Sequence, residues 1–134
     1  MTKKFLFILG LVVLLSANFC FAQGSDGLRV EEIKICTQVE DRVPMGADNI
    51  FTNDVRKLHC FTKVVGAYFP TMISHVWYYN GQKMAEVDLD VGADSWRTWS
   101  SKNISDYWIG DWRVEIVNSD GDILDSIDFV VESD

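Results

Sequence analysis

The chain has 134 residues, with 20 acidic and 12 basic side chains, a formal net charge of −8 at pH 7 and 48% hydrophobic residues. This length suits one domain with its own hydrophobic core. The acidity argues against nucleic acid and anionic lipid as partners, because like charges repel. A simpler reason for the acidity is solubility outside the cytoplasm.

Residues 1–22 have the pattern of a secretory signal peptide. Lys3 and Lys4 form the positive start, and residues 5–15 form the apolar segment. This segment is too short for a comfortable membrane span, so we expect no span after cleavage. The alternative is an uncleaved N-terminal anchor.

Cleavage is expected before Gln23, since Cys20 and Ala22 place small residues where signal peptidase reads them. Loss of the two lysines leaves 10 basic and 20 acidic residues, a net charge of −10. The mature chain would be periplasmic or secreted. Residues 23–27 are small and polar and predict a flexible tail, followed by a single β-sandwich domain at 28–134.

Seven segments of this domain have the alternation, or the β-branched and aromatic content, of β-strands. They cover residues 28–36, 55–65, 72–79, 83–91, 95–101, 111–117 and 123–131. Residues 39–53 are irregular and predict a loop with room for one turn of helix. Asn80-Gly81 and Asp120-Gly121 predict tight hairpin turns.

Short strands at regular spacing predict an all-β, antiparallel β-sandwich of about seven strands. It would be immunoglobulin-like or fibronectin-III-like only loosely, because Trp77 follows Cys60 instead of lying between the two cysteines. Trp77 and Trp112 are expected in the core. Trp96 and Trp99 should lie on opposite faces of their strand unless a bulge intervenes.

Two cysteines, Cys36 and Cys60, remain once Cys20 leaves with the signal peptide. Two cysteines in an exported domain usually form one disulfide, which is our prediction. The alternatives are a metal site or a redox thiol. The chain has no CxxC motif, and neither His59 nor His75 has metal-ligand spacing, so we expect no metal and no cofactor.

The residues from position 73 onward resemble a bacterial family, domain of unknown function 2914. The matching segments are HVWYYNG (75–81), WRTWSSK (96–102), GDWRV (110–114), and DG (120–121) leading to FVV (129–131). The resemblance covers about the last half of the mature chain and implies an exported bacterial protein. It brings no catalytic residues to this sequence.

Seven residues of this half are not explained by folding alone and form the candidate site: His75, Arg97, Trp99, Ser100, Ser101, Lys102 and Trp108. Arginine over tryptophan gives cation–π stacking, and arginine with lysine could grip a carboxylate or phosphate. The set would share one face if its strands lie in the same sheet. Alternatively, Arg97 bridges a carboxylate of a neighbouring strand and His75 bonds a loop carbonyl.

A hydrolase could be imagined from His75 with Ser100 or Ser101, but the chain has no Gly-x-Ser-x-Gly nucleophile elbow. Five tryptophans invite sugar stacking, for which Trp108 is the best exposed platform. Residues 118–122 resemble a calcium loop faintly, but the hairpin turn explains them better.

We therefore expect a non-catalytic, exported β-sandwich that binds a protein partner or serves as a scaffold in the bacterial envelope. The alternative is a glycan- or small-anion-binding module that uses exposed tryptophan with arginine and lysine.

Overall fold

The structure is a computed structural model that describes residues 27–68 and 70–134. The predicted signal peptide, with its cleavage site, and all but one residue of the predicted tail lie outside the described residues. Ten strands form: β1 Arg29–Cys36, β2 Gln38–Glu40, β3 Val43–Met45, β4 Ile50–Thr52, β5 Lys57–Val65, β6 Thr71–Tyr79, β7 Gln82–Val91, β8 Ser95–Asn103, β9 Gly110–Asn118 and β10 Ile123–Glu132. No described residue lies in a helix, so none of this part of the chain offers a membrane-spanning helix.

The strands form two main sheets that pack as a sandwich. One sheet has the order β1-β5-β8, and the other has the order β4-β10-β9-β6-β7. A separate hairpin joins β2 to β3. Every pairing is antiparallel except that of β4 with β10, which is parallel.

The prediction of an all-β sandwich is confirmed. The seven expected strands correspond to β1 and β5 through β10. The region 39–53 differs from the prediction: it contains three short strands rather than a plain loop, and no turn of helix. Three-residue strands are too short to show alternation, so sequence periodicity could not reveal them.

The sheet order explains the loose likeness to immunoglobulin domains. Among the seven long strands, the first, second and fifth form one sheet, and the third, fourth, sixth and seventh form the other. A constant-type immunoglobulin domain keeps its fourth strand beside the fifth. Here the fourth long strand, β7, pairs instead with β6, because Asn80 and Gly81 close a tight hairpin with φ angles of 47° and 83°.

The core lies between the inner faces of the two sheets. Trp77 and Trp112 are buried, as predicted, and Phe129 contacts both rings, edge-on to Trp77 at 6.3 Å and stacked on Trp112 at 5.8 Å. The register of β5 with β8 has no bulge, so Trp96 faces inward and Trp99 outward. The predicted alternation of these two tryptophans is therefore confirmed.

Candidate functional site

His75 and Ser100 meet in the centre of the sandwich, although they belong to different sheets. His75 is on β6 and is 0% exposed; Ser100 is on β8 and is 5% exposed. The distance from His75 Nδ1 to Ser100 Oγ is 2.7 Å. Thr62 on β5 completes the contact, with its Oγ1 at 3.3 Å from His75 Nε2.

The partners of these groups determine which histidine nitrogen carries the proton. Thr62 Oγ1 donates to the carbonyl of Thr98 at 3.3 Å, so His75 Nε2–H must donate to Thr62. His75 Nδ1 then accepts from Ser100 Oγ–H, and Ser100 Oγ accepts from Trp77 Nε1 at 3.1 Å. The neutral Nε2–H tautomer, assigned from this network, gives each of these side-chain N–H and O–H groups a partner.

Burial also keeps His75 neutral. Desolvation lowers the pKa of His75 from 6.5 to about 4, because a charged imidazolium is costly between two apolar sheets. The Ser100–His75 pair resembles the nucleophile and base of a hydrolase in distance alone. Both side chains lie in the core between the two sheets, and neither lines the depression formed by Tyr78, Arg113 and Asp128 on the outer face of the five-stranded sheet.

Arg97, Trp99 and Ser101 lie on the outer face of β8, opposite to the side of Ser100. The seven candidate residues therefore do not share one face, because β6 and β8 belong to different sheets. The alternative structural roles are not observed either. No described carboxylate forms an ion pair with Arg97, and His75 bonds side chains rather than a loop carbonyl.

The surface around Trp99 is aromatic and basic. Trp99 is 36% exposed and stacks on Phe61 of β5, with ring centroids 6.4 Å apart and 18° between the planes. Phe61 is paired with Lys34 on its other side, and Lys63 is paired with Arg97 in the next row. We call this surface the Trp99 face; it comprises Lys34, Phe61, Lys63, Arg97 and Trp99.

Charge sets this face apart from the opposite side of the molecule. Lys63 reaches Glu31 at 3.3 Å, whereas Arg97 and Lys34 form no ion pair with any described residue. The outer face of the five-stranded sheet is mainly acidic: it carries Glu86, Asp88, Asp90, Asp111, Glu115, Asp128 and Glu132. The Trp99 face is thus a basic surface on an acidic chain.

Lys102 and Trp108 contact each other at one end of the sandwich. Lys102 Nζ lies 4.9 Å above the Trp108 ring. Trp108 is half-buried against Tyr79 and Trp112, and its carbonyl accepts from Trp112 Nε1 at 3.2 Å. Trp108 is therefore not the exposed platform that the sequence suggested; the large side chains that this loop exposes are Tyr107, at 87%, and Ile109, at 40%.

The predicted Cys36–Cys60 disulfide is not formed, since both cysteines are free and buried. The register of β1 with β5 explains why. Cys36 lies opposite His59, and Cys60 lies opposite Ile35, so the cysteines are offset by one residue. Side chains one position apart point to opposite faces of a sheet. Cys60 accordingly belongs to the main core, whereas Cys36 lies on the outer face next to the β2–β3 hairpin.

Sequence reasoning did not assign Thr62, Phe61, Lys34 or Lys63 to a site. Thr62 was detectable, because a polar residue among apolar inward positions of a strand needs a buried hydrogen-bond partner. The other three depended on strand pairing that the sequence does not reveal. No group of three metal-ligating side chains occurs among the described residues.

A depression of about 400 Å³ lies on the outer face of the five-stranded sheet, away from the candidate residues. Arg113 crosses it, 3.0 Å from Asp128 and 3.3 Å from Glu115. The hydrogen bond to Asp128 raises the pKa of Arg113. The arginine and two of the three carboxylates that line this depression, Glu115 and Asp128, are therefore engaged with one another.

Residues 70–131 match the family model described as "Protein of unknown function (DUF2914)". This match confirms the resemblance inferred from the motifs between positions 73 and 131. No curated protein matches the chain.

Proposed function

We propose that the chain is a non-catalytic binding module of the bacterial envelope, periplasmic or secreted, that docks a protein partner through the Trp99 face. The N-terminal pattern with Lys3 and Lys4 supports export. The match at residues 70–131 is to a family of unknown function and assigns no activity to the chain.

The observation that carries the proposal is the partly exposed Trp99 ring stacked on Phe61, beside Arg97 and Lys34, which form no ion pair with a described residue. Tryptophan and arginine are enriched where proteins bind one another, because a ring buries a large area at little entropic cost. Lysine and arginine on an otherwise acidic chain would guide an acidic partner to this face. The absence of catalysis is supported by His75, whose nitrogens are both committed to core hydrogen bonds.

A photo-crosslinking amino acid at position 101 tests the proposal in cells that export the protein. Ser101 is exposed on the same face as Trp99, and Asp128 is an exposed control position on the other sheet. We expect a discrete adduct from position 101, its loss in a Trp99→Ala background, and none from position 128. Adducts that are identical from both positions, or that survive Trp99→Ala, would refute docking on this face.

A second candidate function is the binding of a glycan or small anion at the same face. It is favoured by the ring of Trp99, which lies beside Arg97 as a sugar- or carboxylate-binding aromatic would. Intrinsic fluorescence titrated with oligosaccharides and with carboxylates separates the two. A saturable fluorescence change in the wild type that is absent from Trp99→Ala supports binding of that ligand. No change in either protein rules out glycan or small-anion binding at this face.

A further inference from the structure

On one side of the sandwich, each main sheet ends in a strand whose outer edge is unpaired. β8 ends the three-stranded sheet and β7 ends the five-stranded sheet, and no other described strand pairs with their outer edges. Only residues 92–94 connect the two strands, which contact each other across the sandwich. Unpaired edges offer rows of backbone N–H and C=O groups to another strand.

The edge of β8 lacks most of the features that protect edges from pairing. It is nine residues long, its register with β5 contains no bulge, and it has no proline; its charged residues are Arg97 and Lys102, with no acid. The opposite edge of the same sheet, β1, is interrupted by a bulge between Val30 and Glu32. In the other sheet, the edge strand β4 has only three residues. Bulges and short strands are the usual protection, so β8 is the open edge.

The edges of β7 and β8 have opposite charge. Beyond the bulge that shifts its register near Lys83, β7 alternates regularly and exposes Glu86, Asp88 and Asp90. β8 exposes Arg97, which has no ion-pair partner among the described residues. A strand with the charges of β7 is therefore a suitable neighbour for β8.

We propose that two copies of the chain form a symmetric dimer in which β8 of each copy pairs with β7 of the other. Because both edges lie on one side, a two-fold axis parallel to the strands makes both pairings at once and leaves no open end for further copies. β7 and β8 run in opposite directions, and such an axis preserves strand direction, so both pairings are antiparallel. Each three-stranded sheet continues into the partner's five-stranded sheet.

Charge selects this arrangement over the pairing of like strands. Two β7 strands would bring Glu86, Asp88 and Asp90 against the same three acids. Two β8 strands would join two edges that each carry Arg97 and no acid. Opposite charges on neighbouring strands stabilise pairing, and like charges oppose it. Arg97 belongs to both the Trp99 face and the β8 edge. Sedimentation measures self-association, whereas an adduct with a different protein measures docking, so either proposal can fail without the other.

Sedimentation equilibrium of the protein, purified from cells that express the full chain, tests the dimer. We expect the wild type to dimerise reversibly. Arg97→Glu and Asp88→Lys should each raise the dissociation constant by about tenfold or more, because each places like charges at both contacts. An equimolar mixture of the two variants should dimerise again, since every contact in the mixed dimer joins opposite charges.

Lys34→Glu on β1 and Glu132→Lys on β10 are the matched controls, with the same charge changes far from both edges, and should leave the dissociation constant unchanged. A wild type that stays monomeric up to its solubility limit overturns the proposal. So does equal weakening by Lys34→Glu and Arg97→Glu. Normal dimerisation of Asp88→Lys alongside failure of Arg97→Glu would exclude the contact between β8 and the acids of β7. A mixture of the two variants that stays monomeric would also exclude it.

Discussion

His75 Nδ1 and Ser100 Oγ form a 2.7 Å hydrogen bond that joins the two sheets of the sandwich through the middle of its core. The bonds from His75 to Thr62 and from Trp77 to Ser100 also cross between the sheets. Buried polar groups are costly when left without partners, so a sheet shifted from this position loses all three bonds. The network therefore specifies how the sheets pack, beyond what apolar contact requires.

Ser100→Ala should destabilise the protein markedly, because it leaves His75 Nδ1 and Trp77 Nε1 buried without partners. We expect the free energy of unfolding to fall by about 2–4 kcal/mol, since one or two unsatisfied buried groups cost this much. Ser101→Ala is the matched control: its side chain is exposed on the other face, and the change should be within about 0.5 kcal/mol. Urea unfolding followed by circular dichroism measures both. Equal stabilities would show that the network contributes nothing.

Stability should depend on pH through His75. Its pKa is about 4 in the folded protein and 6.5 in the unfolded chain, so the unfolded chain binds more protons between these values. The contribution of neutral His75 to the free energy of unfolding is fully present above pH 6.5. It is lost as the pH drops towards 4, by roughly 3 kcal/mol at most.

His75→Gln provides the test of this pH dependence, and His59→Gln is its control. Burial and Lys57 also lower the pKa of His59, so His59 adds a dependence of the same sign. The difference in stability between the wild type and His75→Gln should shrink between pH 7 and pH 4.5. The His59→Gln variant should still lose stability on acidification, because it keeps His75. If the stabilities of the wild type and His75→Gln changed with pH in parallel, His75 would not be the source of the pH dependence.

The strands were predictable because period-two alternation encodes them directly. Leu58, Cys60, Thr62 and Val64 alternate in the sequence, and all four are buried on the inner face of β5. The short strands β2 to β4 were not predictable, since three residues show no period, and β4 pairs with a distant part of the chain. The parallel pairing of Ile50 with Val130, for example, joins residues eighty positions apart.

The candidate site was only partly predictable, for a related reason. Sequence alternation places Trp99 and Ser100 on opposite faces, but it does not reveal which sheet each face belongs to. Ser100 therefore meets His75 in the core, while Trp99 meets Phe61 outside. The disulfide prediction failed because the sequence does not reveal strand register either. An offset of one residue between β1 and β5 directs Cys36 and Cys60 to opposite faces of the sheet.

Thiol reactivity distinguishes free cysteines from a disulfide. Burial raises the pKa of Cys60, and nearby Cys36 raises it further; burial also raises the pKa of Cys36. Both thiols should thus be inert towards Ellman's reagent in the folded protein, because thiolate is the reactive form. Unfolding in guanidinium without reductant should release two thiols per chain, or three if Cys20 is retained. Fewer than two would show that a bond forms despite the register.

Replacement of two tryptophans separates the core from the docking surface. Trp112→Ala should lower the free energy of unfolding by about 3–5 kcal/mol, because a buried ring in contact with Tyr79, Trp108 and Phe129 leaves a cavity. Trp99→Ala removes a partly exposed ring and should cost only about 1 kcal/mol, mostly the stacking on Phe61. Thermal and urea unfolding of both variants measures the difference. If Trp99→Ala were as damaging as Trp112→Ala, Trp99 would be a structural residue, and its loss could no longer serve to test binding at this face.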